Sequence, residues 1–133
     1  IDVEDTVHCL MTFKKYSTKY NFTANLYMDF IRIDPVRQCT VIGELGTIRW
    51  DGFKNTVEKF SKNNLNWEVF YEDQIVKDYT YREELKHFIK CILEDRQPLI
   101  SGESALKTLK VIRCIKESAF KKAEIEVNYN KSD

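Results

Sequence analysis

Two arginines on either side of Pro35 are the side chains whose type and spacing most directly suggest chemistry. Arg32 and Arg37 flank the segment Ile33–Val36, which should be a loop or bulge because proline cannot donate to a strand ladder. A guanidinium group binds phosphate or carboxylate through two parallel hydrogen bonds, so anion recognition is one interpretation of the pair. The other interpretation is that both arginines are solvated surface charges.

Other residues with chemical potential give less specific signals. Tyr81 opens the first helical pattern, where its ring could pack against a sheet edge or its hydroxyl group could face a ligand. His8 and His87 lie within a strand pattern and a helix pattern and share no metal-ligand spacing with cysteine. This favours surface or core positions for both histidines over catalysis. We therefore expect no catalytic residue and no metal site within this chain.

Motifs and charge argue against several classes of function. The sequence contains no P-loop, no G-x-G-x-x-G, no G-x-S-x-G and no H-E-x-x-H motif. Its 21 basic and 21 acidic residues cancel, which argues against a general nucleic-acid or anionic-membrane surface. No apolar run approaches the length of a membrane span, and the acidic start Ile1–Asp5 is unlike a signal peptide. Because the chain starts without methionine, we expect a fragment of a longer protein.

The four cysteines bear on the cellular compartment. Cys9, Cys39, Cys91 and Cys114 are scattered without C-x-x-C spacing, and each lies in an apolar pattern. Reduced buried thiols in a cytoplasmic protein are the main interpretation, and disulfides in a secreted domain are the alternative. The sequon Asn21-Phe-Thr23 lies within a strand pattern, so we interpret it as a chance match.

Six strands are predicted before any strong helical pattern. Alternating apolar residues or short β-rich runs place them at Thr6–Phe13, Lys19–Met28, Cys39–Ile42, Thr47–Trp50, Thr56–Phe60 and Trp67–Tyr71. The turn Lys14–Thr18 should join the first two strands as an antiparallel pair. Gly43-Glu-Leu-Gly46 should close a hairpin between the third and fourth strands, with glycine supplying the positive φ of a tight reversal.

The period then changes from strands to helices. Thr80-x-x-Glu83 has capping-box spacing and apolar residues recur at helical intervals, which predicts a helix over Tyr81–Asp95. Ser101 can cap a second helix that ends near Lys121, with Glu103 favourable at its positive N-terminus. Alternation over Ala123–Tyr129 predicts a final strand with Ile125 and Val127 facing inward.

These elements predict a single α+β domain over residues 1–133. The expected architecture is an open, mostly antiparallel sheet of about six to seven strands with two main helices on one face. Two helices cannot cover so wide a sheet, so its second face must meet water, another domain or another subunit. Large side chains fall on both faces of several strands, and we therefore expect self-association.

Several runs, taken in order, resemble the C-terminal domain of the Gfo/Idh/MocA oxidoreductases, the glucose–fructose oxidoreductase and inositol dehydrogenase family. The resemblance extends through nearly the whole chain and is closest to members that act on sugars or sugar nucleotides. The runs that carry it are Val3-Glu-Asp5, Tyr27-Met-Asp29 with Arg32 and Arg37, Val41-Ile-Gly-Glu-Leu-Gly-Thr-Ile-Arg-Trp-Asp51, Tyr81-Arg-Glu-Glu-Leu-Lys-His-Phe88, and Pro98-Leu-Ile-Ser-Gly-Glu-Ser-Ala-Leu106 leading into Ile112 and Ser118-Ala119.

What the resemblance implies is a two-part enzyme. An N-terminal Rossmann domain would bind NAD or NADP, and this domain would wall the substrate site and build a homo-oligomer interface through its open sheet. The reaction would be hydride transfer at a sugar hydroxyl or ketone. The family's glycine-rich loop and catalytic lysine would both lie upstream of Ile1, so we expect this chain alone to bind no dinucleotide and to be inactive.

Carried over residue by residue, the resemblance places substrate contacts in the loop before the third strand and at the start of the first helix. The positions are Arg32, Arg37 and Tyr81, with Asp29 placed to orient one of the arginines. Two other functions remain open on the residues alone. One is a non-enzymatic module whose sheet dimerises or docks a partner, and the other is a small-ligand binding domain.

Overall fold

The computed structural model of the chain describes residues 4–14, 21–74, 76 and 78–129. Its strands and helices confirm the predicted α+β class. The elements are β1 (Thr6–Phe13), β2 (Phe22–Asp29), β3 (Gln38–Gly43), β4 (Gly46–Asp51), β5 (Thr56–Ser61), β6 (Trp67–Glu72), α1 (Tyr79–Leu93) and α2 (Gly102–Lys121).

Two compact units share these elements. The first, here called the sheet unit, contains Asp29–Thr80 together with the start of the chain through Thr6. The second, here called the helix unit, contains Val7–Met28 and the chain from Tyr81 onward. Correspondingly, the six strands form a four-stranded sheet and a two-stranded sheet rather than one continuous layer.

In the sheet unit, β3 to β6 form an antiparallel meander in chain order. Each of these strands extends its sequence-predicted range by at most one residue at either end. The pairing places Cys39, Trp50, Val57 and Tyr71 in one row across the sheet. A bulge follows this row, because Glu58 pairs with Val69 and skips one residue of β6.

The two faces of this sheet differ in their chemistry. One, here called the tryptophan face, carries mostly apolar side chains, and its Val41 is 61% exposed. Its apolar members are Cys39, Val41, Ile48, Trp50, Val57 and Tyr71. On the opposite face, the Arg49 guanidinium carbon lies 4.1 Å from the centre of the Trp67 ring, and Arg49 Nη1 lies 3.7 Å from Glu58 Oε2. Polar and aromatic groups contact one another on that second face, which also exposes Ile42 and Val69. The tryptophan face leaves a row of apolar side chains exposed as well.

The β3–β4 hairpin is confirmed, but the predicted role of its glycines is wrong. Gly43 pairs with Gly46, and the turn residues are Glu44 and Leu45. Neither glycine has a positive φ. Gly46 is required for space instead, because a Cβ there would overlap the Phe60 carbonyl oxygen of the neighbouring strand.

In the helix unit, β1 and β2 pair in antiparallel order. The Phe13 and Phe22 rings stack with centres 4.6 Å apart, and His8 Nε2 lies 2.9 Å from Asn25 Oδ1. In both contacts the residue numbers of the two partners add up to nearly the same value, as they do for opposite positions of antiparallel strands. The predicted turn Lys14–Thr18 lies almost entirely outside the described residues.

The two helices occur close to their predicted positions, and one predicted cap is wrong. α1 begins at Tyr79, so Thr80 lies inside its first turn and does not cap it. α2 is capped as predicted: Ser101 Oγ accepts a hydrogen bond from Ser104 N at 3.3 Å. The contact with Ser101 also lowers the pKa of the Glu103 carboxyl group.

The predicted final strand is wrong. Residues 124–128 have no strand pairing in the described part of the chain, although Ile125 and Val127 are half-buried as their alternation indicates. The segment lies back along α2, because Ser118 Oγ donates to the Ala123 carbonyl oxygen at 2.7 Å and Lys110 Nζ to that of Tyr129 at 3.4 Å. The alternation therefore marks a half-buried side of this segment and not a strand.

The cysteines are free thiols with different degrees of burial. Cys91 is only 3% exposed, whereas Cys39 is exposed, so the expectation of four buried thiols is wrong for Cys39. Over the residues described, no helix is long and apolar enough to cross a membrane.

The His87 side chain holds the segment that follows α1 against the helix. His87 Nε2 accepts a hydrogen bond from Leu99 N at 3.0 Å and lies 3.5 Å from Cys91 Sγ. Replacing His87 with alanine leaves the Leu99 N–H without this acceptor, so we expect a loss of about 1 kcal/mol in the free energy of unfolding. Urea unfolding of the variant measures it. His8→Ala removes a more exposed histidine, whose contact with Asn25 Oδ1 is open to water, and should change the unfolding free energy by less than half as much. Equal losses would contradict this role of His87.

Candidate functional site

Two of the four predicted site residues lie at the end of β2 and in the loop that follows it. Asp29 Oδ1 accepts hydrogen bonds from Ile31 N at 3.2 Å and from Arg32 N at 2.8 Å, so Asp29 fixes the loop backbone around Arg32. The Arg32 guanidinium group contacts Asp34 twice, with Nε 3.2 Å from Oδ1 and Nη2 2.9 Å from Oδ2. This contact lowers the pKa of the Asp34 carboxyl group. Arg32 therefore already holds a carboxylate within its own loop.

Arg37 has a different environment. Its guanidinium carbon lies 5.4 Å from the centre of the Trp50 ring, and its carbonyl oxygen accepts a hydrogen bond from Gly52 N at 2.7 Å. No carboxylate in the described part of the chain forms an ion pair with it. The side chain is thus restrained by an aromatic ring while its charge is uncompensated.

Gly52 makes the approach of Arg37 to Trp50 sterically possible. A Cβ at this position would lie 2.8 Å from Trp50 Cζ2 and 3.1 Å from Arg37 Cδ. Either contact is closer than ordinary van der Waals packing allows. The absence of a side chain at residue 52 therefore lets the tryptophan ring and the arginine stem lie over the turn.

The buried Asp51 side chain accepts hydrogen bonds from the backbone of the same turn. Its side chain is 7% exposed, and it accepts hydrogen bonds from Lys54 N at 2.9 Å, Phe53 N at 3.0 Å and Gln38 Nε2 at 2.9 Å. The Lys54 N–H and the Gln38 amide are the largest causes that lower the pKa of Asp51, and burial opposes them. Gln38 is also the strand partner of Asp51, so one carboxylate joins the start of β3 to the turn after β4.

Residues at the end of β6 contribute the remaining contacts around this turn. The Tyr71 hydroxyl donates to Asp73 Oδ2 at 3.2 Å, and the Asp73 carboxylate raises the pKa of Tyr71. Asn55 Nδ2 donates to the Asp73 carbonyl oxygen at 2.8 Å, and Asp73 N donates back to the Asn55 carbonyl oxygen at 3.3 Å. Asn55 adopts a φ of 53°, a conformation that asparagine tolerates better than most residues.

These residues define the candidate site, here called the sheet-end cluster. Its members are Arg37, Gln38, Trp50, Asp51, Gly52, Tyr71 and Asp73. Trp50 and Tyr71 share a row two strands apart, a separation of about 10 Å. The cluster combines an uncompensated cation, two aromatic rings and hydrogen-bonded carboxylates, so its evident chemistry is binding. No group of three metal-ligating side chains occurs among the residues described.

Tyr81 falls in a different unit from the other predicted site residues. Asp29, Arg32 and Arg37 belong to the sheet unit, and Tyr81 belongs to the helix unit. Its side chain is 73% exposed near the start of α1. Both the ring and the hydroxyl group are therefore accessible, and tight packing against a sheet edge is not observed.

Sequence reasoning missed most of the sheet-end cluster. The sequence patterns place Trp50 only at the end of a predicted strand and assign no site role to Asp51, Gly52, Tyr71 or Asp73. The dipeptide Asp51-Gly52 after a strand was the available signal, because aspartate accepts hydrogen bonds from the turn backbone that follows it.

Comparison with known proteins adds no relative. No protein-family model, no curated protein and no solved structure matches this chain. The resemblance described above therefore rests on the ordered motifs of the sequence.

Proposed function

We propose that this chain is the C-terminal substrate and oligomerisation domain of a cytoplasmic NAD(P)-dependent oxidoreductase that acts on a hydroxyl or ketone of a sugar or sugar nucleotide. The observation that carries the proposal is the sheet unit. It combines an antiparallel sheet with an exposed apolar face and an uncompensated arginine fixed at the end of that face. The ordered sequence motifs supply the chemistry of the reaction.

In the described part of the chain, neither helix N-terminus is arranged to receive a dinucleotide pyrophosphate. A pyrophosphate would need free backbone N–H groups at a helix N-terminus. At α2, Ser101 Oγ already accepts from Ser104 N, and the Glu103 carboxylate stands beside it. At α1, Asp78 precedes the first residue of the helix. We therefore place the dinucleotide on a Rossmann domain N-terminal to this chain, where it would supply hydride transfer.

In this proposed two-domain enzyme, the present chain binds and orients the sugar. Arg37 would contact the substrate directly, and Asp29 would hold the loop that carries Arg32. Tyr81 would offer its exposed hydroxyl group. We assign no proton transfer or covalent chemistry to these residues, and we place the catalytic acid or base in the upstream domain.

The activity is tested with the full-length protein. It should reduce NAD or NADP with members of a panel of aldoses, inositols and sugar nucleotides, and the coding sequence upstream of Ile1 should contain a glycine-rich dinucleotide fingerprint after a strand. A start codon at the boundary just before Ile1, together with no turnover, would favour the second candidate, a non-enzymatic interaction module. The exposed apolar face is the observation that keeps this candidate open.

Self-association through the tryptophan face gives a specific prediction. We expect the full-length protein to elute as a dimer or larger in size-exclusion chromatography, because burying this face against a second copy removes apolar surface from water. Val41→Glu places a charge on that face and should shift the protein to monomer.

The matched control for this prediction lies one residue away. Thr40→Glu places the same charge on the opposite face of β3 and should leave the oligomer intact. A wild-type monomer at high concentration, or equal dissociation by both variants, would contradict the predicted interface.

A further inference from the structure

We propose that Arg37 and Trp50 form a recognition site for an oxyanion, a carboxylate or phosphate group carried by the ligand of this domain. The pair is here called the Arg37–Trp50 shelf. The inference deepens the proposed function, on which it rests for the sugar part of the ligand, and it names the group that the site selects. The inference rests on three observations. The Arg37 guanidinium has no carboxylate partner in the described part of the chain, the Trp50 ring restrains its position, and the neighbouring carboxylates already accept other hydrogen bonds.

Charge compensation distinguishes Arg37 from the other arginines of the sheet unit. Arg32 makes two contacts with Asp34, and Arg49 pairs with Glu58 at 3.7 Å. In the part of this unit that the structure describes, Arg37 alone lacks a carboxylate partner. Its guanidinium therefore keeps its donors for an external group, and a planar fork of N–H donors matches the two oxygens of a carboxylate or phosphate.

The position of the guanidinium is prepared before any ligand binds. The Trp50 ring attracts the cation to its face, and Gly52 leaves the space in which ring and arginine stem lie together. The Gly52 N–H also holds the Arg37 carbonyl oxygen at 2.7 Å. Because fewer rotamers remain accessible, binding an anion loses less side-chain entropy than it would with a free surface arginine.

Two acidic residues of the sheet-end cluster could compete for Arg37 but are engaged elsewhere. Asp51 accepts from Gln38 and from two backbone N–H groups of its own turn. The Asp73 carboxylate accepts from the Tyr71 hydroxyl. The cation at this end of the sheet is therefore left for a ligand, and Trp50 adds an apolar surface against which a sugar ring can pack.

The experiment compares matched sugars on the full-length protein and its Arg37→Ala, Arg37→Lys and Arg49→Ala variants. The ligands are one neutral aldose, its uronate and its phosphate monoester. Two readouts are used: KM and kcat with dinucleotide, and the shift in melting temperature that each ligand causes without dinucleotide. The uronate and phosphate arms separate the two possible sources of the oxyanion.

Arg37→Ala should raise KM for the preferred anionic sugar about 10- to 100-fold, change kcat little and leave KM for the neutral sugar within about 2-fold. The melting shift caused by that anion should disappear in parallel. Arg37→Lys should restore part of the affinity because it keeps the charge but loses the planar fork. Arg49→Ala should resemble wild type, since Arg49 lies on the opposite face of the sheet and pairs with Glu58.

The two proposals fail in different ways. Turnover of sugars with identical KM in wild type and Arg37→Ala overturns the shelf and leaves the oxidoreductase standing. An Arg37-dependent melting shift without any dinucleotide-dependent turnover supports the shelf and removes the oxidoreductase. Lower stability of Arg37→Ala with no change in ligand affinity makes the arginine a structural residue and overturns the inference.

Discussion

Replacing Gly46 with alanine is expected to lower the free energy of unfolding by about 3 kcal/mol. A Cβ at this position would overlap the Phe60 carbonyl oxygen and lie 3.2 Å from Ser61 Cα. Both atoms belong to the backbone of β5, so no side chain can rotate away and the two strands must separate. Urea unfolding should show a lower midpoint, with the slope unchanged if the denatured state is the same.

Gly43 offers a matched control in the same hairpin. It pairs directly with Gly46, but a Cβ on Gly43 would lie 3.6 Å from the Gly46 carbonyl oxygen, an ordinary contact. Since alanine also reduces the entropy of the unfolded chain, Gly43→Ala should stay within about 1 kcal/mol of wild type. Similar losses for the two variants would mean that hairpin conformation, and not the space beside β5, is what the glycines provide.

Removing the Asp51 carboxylate is the second change with a large expected effect. Asp51→Ala leaves three donors without their acceptor: the backbone N–H groups of Phe53 and Lys54, and the Gln38 amide. We expect a fall of several degrees in melting temperature, because the turn and the start of β3 lose their shared contact. The Arg37–Trp50 shelf lies over the same turn, so the affinity for an anionic ligand should fall as well.

The pH dependence follows from the direction of the Asp51 pKa. Hydrogen bonds lower the pKa of this group in the folded protein. Its contribution to stability is therefore fully present above the unfolded value, about pH 3.9, and is lost as the pH falls through the lower folded value. Melting curves of the wild type should thus lose stability below roughly pH 4, and Asp51→Ala should lack this part of the loss.

Asp34 provides the control for that measurement. The pKa of this carboxyl group is also lowered, by Arg32, but the ion pair is exposed on a loop. Exposed pairs contribute little to stability, so Asp34→Ala should leave the melting temperature and its acid dependence nearly unchanged. Equal acid sensitivity in Asp34→Ala and Asp51→Ala would show that exposed loop charges, and not the buried turn, set the response.

Local sequence was sufficient to find the elements of the fold. Alternating residues and short turns placed β3 to β6 within one residue, because a strand's faces and a tight turn depend on neighbouring positions. Ser101 predicted the N-cap of α2 for the same reason. The local pattern was insufficient at Ala123–Tyr129, where alternation reported a half-buried side but not what covers it.

The sequence by itself determined the α+β class, the positions of β3 to β6, the β3–β4 hairpin and the candidacy of Arg37. The tertiary structure alone decided why those positions matter. Gly46 is constrained by the Phe60 carbonyl oxygen across a ladder, and Arg37 owes its environment to Trp50 and Gly52, which follow it by 13 and 15 residues. Periodicity describes a residue and its chain neighbours, whereas space and charge compensation depend on atoms that pairing brings together. The division into two sheets has the same origin, since an alternating strand carries no record of its partner.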